Sequence, residues 1–298
     1  MTDLKINSMI NKIRPTFTMV VGIPGSGKST FAEEHKNENT IHISSDAIRE
    51  EIFGDAGCQD DNSRVFAIMH ERTLEALKNG YNVIYDATNI TRKSRAGILK
   101  QLPAYVRKEC MIVWAPVEYC ISRDLRRGRH VGEDIIMSML KRFEAPFYDE
   151  GFDDIDIYFS GICPHPIEYH SKCVKALNIP HDNPHHTADI AEHCKLCGDN
   201  LSNLDLPPVV IAAGYLHDIG KPITKTFVNT KGETTDIAHY YGHQGAGAWI
   251  SYGLSDITLA WLISTHMAPF LNQKYYTNLD PLYKNWIDAL HECDKMSK

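Results

Sequence analysis

Short apolar runs at residues 17–21, 40–43, 82–85 and 110–114 recur along the first half of the chain, with polar and amphipathic stretches of helical length between them. That alternation is the β-α-β rhythm of a parallel sheet flanked by helices. A further strand-like run at 155–159 is followed by Gly161-Ile162-Cys163-Pro164-His165-Pro166, a break rich in turn-forming residues. Beyond it the pattern changes. Apolar segments at 209–216, 257–264 and 286–292 have helical length and are joined by turns rich in Pro, Gly and Asn. The expectation is an α/β domain over residues 1–161 and an all-α domain over 162–298, without internal repeats or low-complexity tracts.

Composition supports the division. With 298 residues the chain is long enough for two domains with cores of their own. All twelve arginines lie at or before Arg142, whereas eleven of the fifteen histidines lie at or after His165. No apolar run approaches the roughly 18 to 20 residues that span a bilayer, and residues 1–14 lack the apolar core of a signal peptide. A cytoplasmic protein with no membrane partner is expected. Eight scattered cysteines form no disulfide framework, and Cys194-x-x-Cys197 has no second pair at zinc-finger spacing, so it reads as packing. A formal charge of −7 argues against indiscriminate coating of nucleic acid, which draws on many basic contacts to phosphate.

The first chemical signal is Gly22-x-x-Gly25-Ser26-Gly27-Lys28-Ser29-Thr30, placed between an apolar strand and a helical run. In that context the loop's backbone N–H groups face phosphates, Lys28 reaches the β and γ phosphates of ATP or another NTP, and Ser29 ligates Mg²⁺. A second strand runs into Ser44-Ser45-Asp46-x-x-Arg49. Asp46 reads either as a helix N-cap or as a base for an acceptor hydroxyl, with Arg49 holding the acceptor. A third strand ends in Asp86-Ala87-Thr88-Asn89, at the carboxyl end of the sheet where α/β proteins bind ligands. Arg123 and Arg127, spaced as neighbours on one helical face, are either a lid over the transferring phosphate or part of a solvated basic face.

These pieces resemble the kinase domain of phage polynucleotide 5′-hydroxyl kinases and their bacterial relatives, over about residues 15–160. The resemblance implies Asp46 as general base, Arg49 as acceptor contact, Asp86 as an essential carboxylate and Arg123 with Arg127 as the lid. The sequence departs from that family at two places: Asp124 stands where Asn is common, and Gly132 where Pro is common.

In the second half, His217-Asp218 sits where an apolar helix runs into Ile219-Gly220-Lys221-Pro222. An imidazole and a carboxylate side by side suit a divalent ion, and a carboxylate can bridge two. His193 precedes the pair; His243, His266 and Asp294 come after it at long intervals that suit one ligand per helix. His185 and His186 are alternative first ligands.

This half resembles the HD phosphohydrolase superfamily, most closely the HD domain appended to tRNA nucleotidyltransferases, over about residues 180–298. The resemblance assigns His193, His217, Asp218 and Asp294 to a first metal and adds His243 and His266 for a second. It implies one or two ions (a transition metal, Mg²⁺ or Mn²⁺), with Lys221 steadying phosphate charge. Together the halves are similar to bifunctional polynucleotide kinase and HD phosphohydrolase proteins. That similarity implies an enzyme that phosphorylates 5′-hydroxyl ends and removes a 2′,3′-cyclic, 2′- or 3′-phosphate. Its partners would be RNA or DNA ends and a separate ligase. A metabolite or nucleotide kinase fused to a nucleotidase, or a non-catalytic nucleotide sensor, would use the same motifs.

Overall fold

The computed structural model describes residues 14–161, 165–183 and 188–297. They form two compact units. One comprises the residues up to Ile136 together with Pro146 to Gly161; the other comprises Met137–Ala145 together with the described residues from His165 on. The boundary expected at residue 162, and the alternative ligands His185 and His186, lie outside the described residues. The segment Met137–Ala145, expected in the first domain, groups with the second unit.

The first unit is a five-stranded parallel sheet in the order β2-β3-β1-β4-β5, formed by β1 (Thr16–Val21), β2 (Thr40–Ser44), β3 (Asn82–Asp86), β4 (Arg107–Trp114) and β5 (Asp154–Phe159). Central β1 buries Phe17, Met19, Val20 and Val21 because both faces of a parallel sheet are covered, whereas edge strand β2 is mostly half-buried. Helices α1 (Lys28–His35), α2 (Ser45–Phe53), α3 (Asn62–Lys78), α4 (Arg92–Leu99) and α5 (Val117–Leu125) connect the strands, and α6 (Glu133–Lys141) comes after α5. Several begin on a side-chain cap, with Ser44, Asp61 and Thr91 accepting from the N–H groups of Ala47, Arg64 and Ser94. Register then positions the chemistry. Asp86 is level with Val20 on one side and Ser44 on the other, so three strands end together beneath the glycine-rich loop.

The second unit contains α7 (Pro166–Lys175), α8 (Ile190–Ser202), α9 (Pro208–Leu216), α10 (Lys221–Thr224), α11 (His243–Ser251), α12 (Ile257–Thr265), α13 (Ala268–Leu271), α14 (Gln273–Thr277) and α15 (Pro281–Met296). Helix α8 packs on α9 and α15, and α12 on α9 and α11. Most of α12 is buried, Leu259 to Ile263 without interruption, as expected of a helix that is apolar all round. The all-α expectation needs correction. Strands β6 (Thr226–Val228) and β7 (Thr234–His239) form an antiparallel hairpin. Its turn is set by Asn229, whose Oδ1 accepts from Lys231 N at 2.9 Å and Glu233 N at 3.0 Å. Such an Asx turn, flanked by Thr- and Val-rich residues, outweighs any helical tendency.

Candidate functional site

In the first unit the loop after β1 brings Lys28, Ser29 and Asp86 together. Ser29 Oγ donates to Asp86 Oδ2 at 3.0 Å, and His42 Nε2 lies 3.1 Å from the same oxygen. A hydroxyl and a carboxylate oxygen are the hard donors Mg²⁺ takes, so the residues fit that ion. Lys28 Nζ donates to Ile23 O at 3.0 Å, across its own loop. Burial lowers its pKa, and Asp86 counteracts this. Ser26 is fully buried, with its N–H turned to Ile23 O at 3.2 Å, while Thr30 is exposed at the start of α1.

The cap of α2 is Ser44, which leaves the Asp46 carboxylate available for other contacts. Arg49 Nη1 donates to Asp46 Oδ1 at 3.0 Å and Nη2 to Asn62 Oδ1 at 2.8 Å. Arg129 Nη1 stands 3.5 Å from Asp46 Oδ2. The Asp46 side chain remains 60 % exposed between a buried and a half-exposed arginine, so its charge is held in place yet reachable.

The arginine lid is drawn differently from the expectation. Arg123 Nη1 donates to Ser160 Oγ at 3.0 Å and to the carbonyls of Gly25 and Ser26 at 3.4 and 3.3 Å, and Nη2 donates to Ser160 O at 2.7 Å. Here Arg123 braces the phosphate loop. Arg127 is exposed and lies beyond the end of α5 at Leu125, so the two are not neighbours on one helical face. The cause is Asp124, which accepts from Val131 N at 3.1 Å and Gly132 N at 3.0 Å and folds the chain back. Gly132 has φ 91°, which proline cannot adopt, and it donates an N–H that proline lacks. The two departures from the resembled family are therefore one turn.

In the second unit the histidine and aspartate candidates converge from separate elements. His193 comes from α8, His217 and Asp218 from the end of α9, His243 from the start of α11, His266 from the end of α12 and Asp294 from α15. His193 Nε2 lies 3.1 Å from His217 Nε2 and 3.0 Å from Asp294 Oδ1. His243 Nε2 lies 3.2 Å from His266 Nε2. Asp218 joins the groups, its Oδ2 being 3.4 Å from both His193 and His217 Nε2, and its Oδ1 3.4 Å from His243 Nε2.

The other ring nitrogens explain the arrangement. Nδ1 of His193, His217, His243 and His266 lies at 3.0, 2.8, 2.9 and 2.7 Å from the carbonyls of Ser297, Gly214, Tyr240 and Ile263. A carbonyl only accepts, so each Nδ1 carries the proton and, in the neutral ring, each Nε2 presents a bare lone pair. The histidines and Asp218 form two groups of closely spaced ligand atoms that share Asp218, and their donor types fit divalent metal ions. Burial pushes the His266 pKa down to about 3, helped by His243, and lowers that of His243. Burial disfavours charge on His217 and Asp218 too, but each opposite charge prevails, raising the first and lowering the second.

Lys221 Nζ stands 2.6 Å from Asp218 Oδ2, off the direction of a hydrogen bond, and 3.2 Å from His181 Nε2. Gly220 makes the approach possible. A Cβ there would meet His243 O at 2.1 Å and Gly247 N at 2.5 Å. His181, His42, Asn62, Arg129 and Ser160 were not singled out from the sequence. Arg129 follows Arg123, Arg126 and Arg127 closely in the sequence and His42 lies on a strand leading to the site, but Asn62 and Ser160 carry no motif.

Comparison with known proteins bears on the first unit. Residues 17–146 match the family model described as an AAA domain. The chain is 26% identical over 156 residues to an L-seryl-tRNA(Sec) kinase of Methanococcus maripaludis, covering 47% of this chain and 56% of that protein. It is 26% identical over 159 residues to a protein named transcription factor bHLH140 of Arabidopsis thaliana, covering 50% of this chain and 16% of that one. The chain thus spans little more than half of the first relative and a sixth of the second. Among solved structures, a Pnkp1/Rnl/Hen1 RNA repair complex aligns at 27% identity with a TM-score of 0.40, over 43% of this chain and 44% of that one. The first unit is a kinase-like P-loop domain. Among the described residues no helix is long and apolar enough to cross a membrane.

Proposed function

We propose that this protein heals broken nucleic-acid ends. The first unit would transfer the γ-phosphoryl group of ATP to a 5′-hydroxyl; the second would remove a 2′,3′-cyclic, 2′- or 3′-phosphate. The observation that supports the reading is the presence in one chain of a carboxylate between two arginines near a phosphate loop and of a buried histidine–aspartate cluster with ligand-type atoms facing one another. The relative named as an L-seryl-tRNA(Sec) kinase supports an acceptor hydroxyl carried on RNA. The charge of −7 suits an enzyme that engages ends rather than coats strands.

In the kinase reaction Lys28 holds the transferring phosphoryl group and Arg49 the acceptor. Asp46 takes the proton of the hydroxyl as its oxygen bonds to the γ-phosphorus, and the bond to the β-phosphate oxygen breaks to release ADP. Arg123 keeps the loop in the shape its backbone needs, and Arg127 supplies exposed positive charge near Lys28. In the second unit His193, His217, Asp218 and Asp294 would hold one ion and Asp218, His243 and His266 another. Such ions, when bound, acidify water and draw charge from a phosphoryl group. Lys221, already beside Asp218, is placed to take part of that phosphate charge.

The test is an RNA with a 5′-hydroxyl and a 2′,3′-cyclic phosphate, given labelled ATP with Mg²⁺ or Mn²⁺. Lys28→Ala should abolish 5′ labelling alone, and Asp218→Ala removal of the end phosphate alone. A wild-type protein that phosphorylates a nucleoside or small alcohol but no oligonucleotide would end the repair reading.

A further inference from the structure

The cleft beside the histidine cluster has a volume of about 300 Å³ and two chemically different walls. One is the cluster with Lys221. The other is built from Met267, Phe270, His291 and Lys295, none of which the metal chemistry uses. Both walls hang on the same elements. Phe270 lies on α13, four residues after His266, and Phe270 N and Leu271 N both donate to Met267 O, at 3.0 and 2.9 Å. His291 and Lys295 flank Asp294 on α15.

Phe270 is 64 % exposed, which leaves a large apolar ring facing water at the mouth of a polar site. A single exposed aromatic means little by itself. Here two further observations join it. The His291 ring meets Phe270 edge-on, with centroids 4.7 Å apart at 70°, and fixes the orientation of the platform. His291 Nδ1 is buried without a hydrogen-bond partner, a polar group beside the platform with its capacity unused. An open aromatic face and a lysine beside the histidine–aspartate cluster match a nucleotide, a flat heterocycle joined to phosphate. The volume lies at the low end of small-molecule sites, roughly 300 to 1,000 Å³, and suits one nucleotide unit rather than a duplex.

We propose that Phe270 is a base platform, stacking the terminal nucleobase of the ester whose phosphate lies on the histidine–aspartate cluster. The site then selects single-stranded nucleotide ends over phosphate esters in general. This rests on the cluster being a phosphohydrolase centre, and the experiment separates the two ideas.

The full chain, loaded with Mn²⁺, is given adenosine 2′,3′-cyclic phosphate and, in parallel, glycerol 1,2-cyclic phosphate, which has the same cyclic ester without a base. Phe270→Ala should lower the ratio of kcat/KM for the first ester over the second by about 5- to 100-fold, the loss typical of one base–aromatic stack. Phe270→Trp should restore the ratio. Calorimetry should show Phe270→Ala weakening 2′-AMP by the same factor while inorganic phosphate binds as before. An unchanged ratio with unchanged 2′-AMP binding overturns the platform. If wild type hydrolyses neither ester, the phosphohydrolase reading falls, and calorimetry alone decides the platform: selective loss of 2′-AMP keeps it, and equal or absent binding removes it.

Discussion

The two candidate sites arrange their charged groups in opposite ways. In the first unit the positive groups are a loop of backbone N–H groups, one lysine and arginines on long side chains, and Asp46, the proposed base, is 60 % exposed. In the second, four imidazoles and Asp218 are almost wholly buried and face one another before any substrate arrives. A site that must admit and release both ATP and an acceptor keeps its charges reachable and loosely paired. Burying four imidazoles and a carboxylate carries a desolvation cost, which cations bound there would compensate.

The largest test of this contrast is at Asp46. Asp46→Asn, which keeps an oxygen for Arg49, should lower 5′ phosphorylation by about 10²- to 10⁴-fold, as expected for loss of a general base, and leave phosphate removal unchanged. Equal loss of both activities would erase the distinction. Chelation should act the other way. Stripping divalent ions should lower the melting temperature of the second unit, by the equivalent of about 2.7 kcal/mol if the ion stood at a hundred times its Kd. Differential scanning calorimetry with and without EDTA measures it.

Gly220→Ala forces a methyl group against His243 O and Gly247 N. A loss of about 1–3 kcal/mol is expected, read from urea unfolding monitored within the second unit, with 5′ phosphorylation retained. The smallest effect concerns His170, whose buried ring has its pKa lowered by burial. The unfolded chain takes up that proton below about pH 6.5 and the folded chain resists it, so stability is complete above that pH and is lost as pH falls. His170→Leu should flatten this acid limb by a few tenths to about 1 kcal/mol in pH-dependent melts.

Much of the first unit was legible because its strands are apolar runs between polar helices and its loop is a contiguous motif. What escaped the sequence depended on contacts between distant residues. Nothing near Asn62 announces that it holds Arg49, and the hydrogen bonds of Asp124 to Val131 and Gly132, which end α5 before Arg127, require the folded turn. The hairpin of β6 and β7 was missed because its strands are short and lie between stronger helical signals. In the second unit the order of the candidate histidines and aspartates along the chain was visible, but the close facing of their ring nitrogens was not. The resemblance grouped His243 with His266, but the 3.2 Å approach of their Nε2 atoms depends on the packing of α11 against α12.

The four carbonyls that orient the imidazoles have one more consequence. They belong to the peptide backbone of Ser297, Gly214, Tyr240 and Ile263, and no side-chain replacement can delete a carbonyl. Where a metal centre leans on carboxylates for this support, any of them can be lost to a single codon change. Here the support comes from main-chain carbonyls, three of them three residues before the histidine they meet and the fourth brought in from the far end of α15, so side-chain changes around the cluster leave it in place and the histidines themselves are its points of failure.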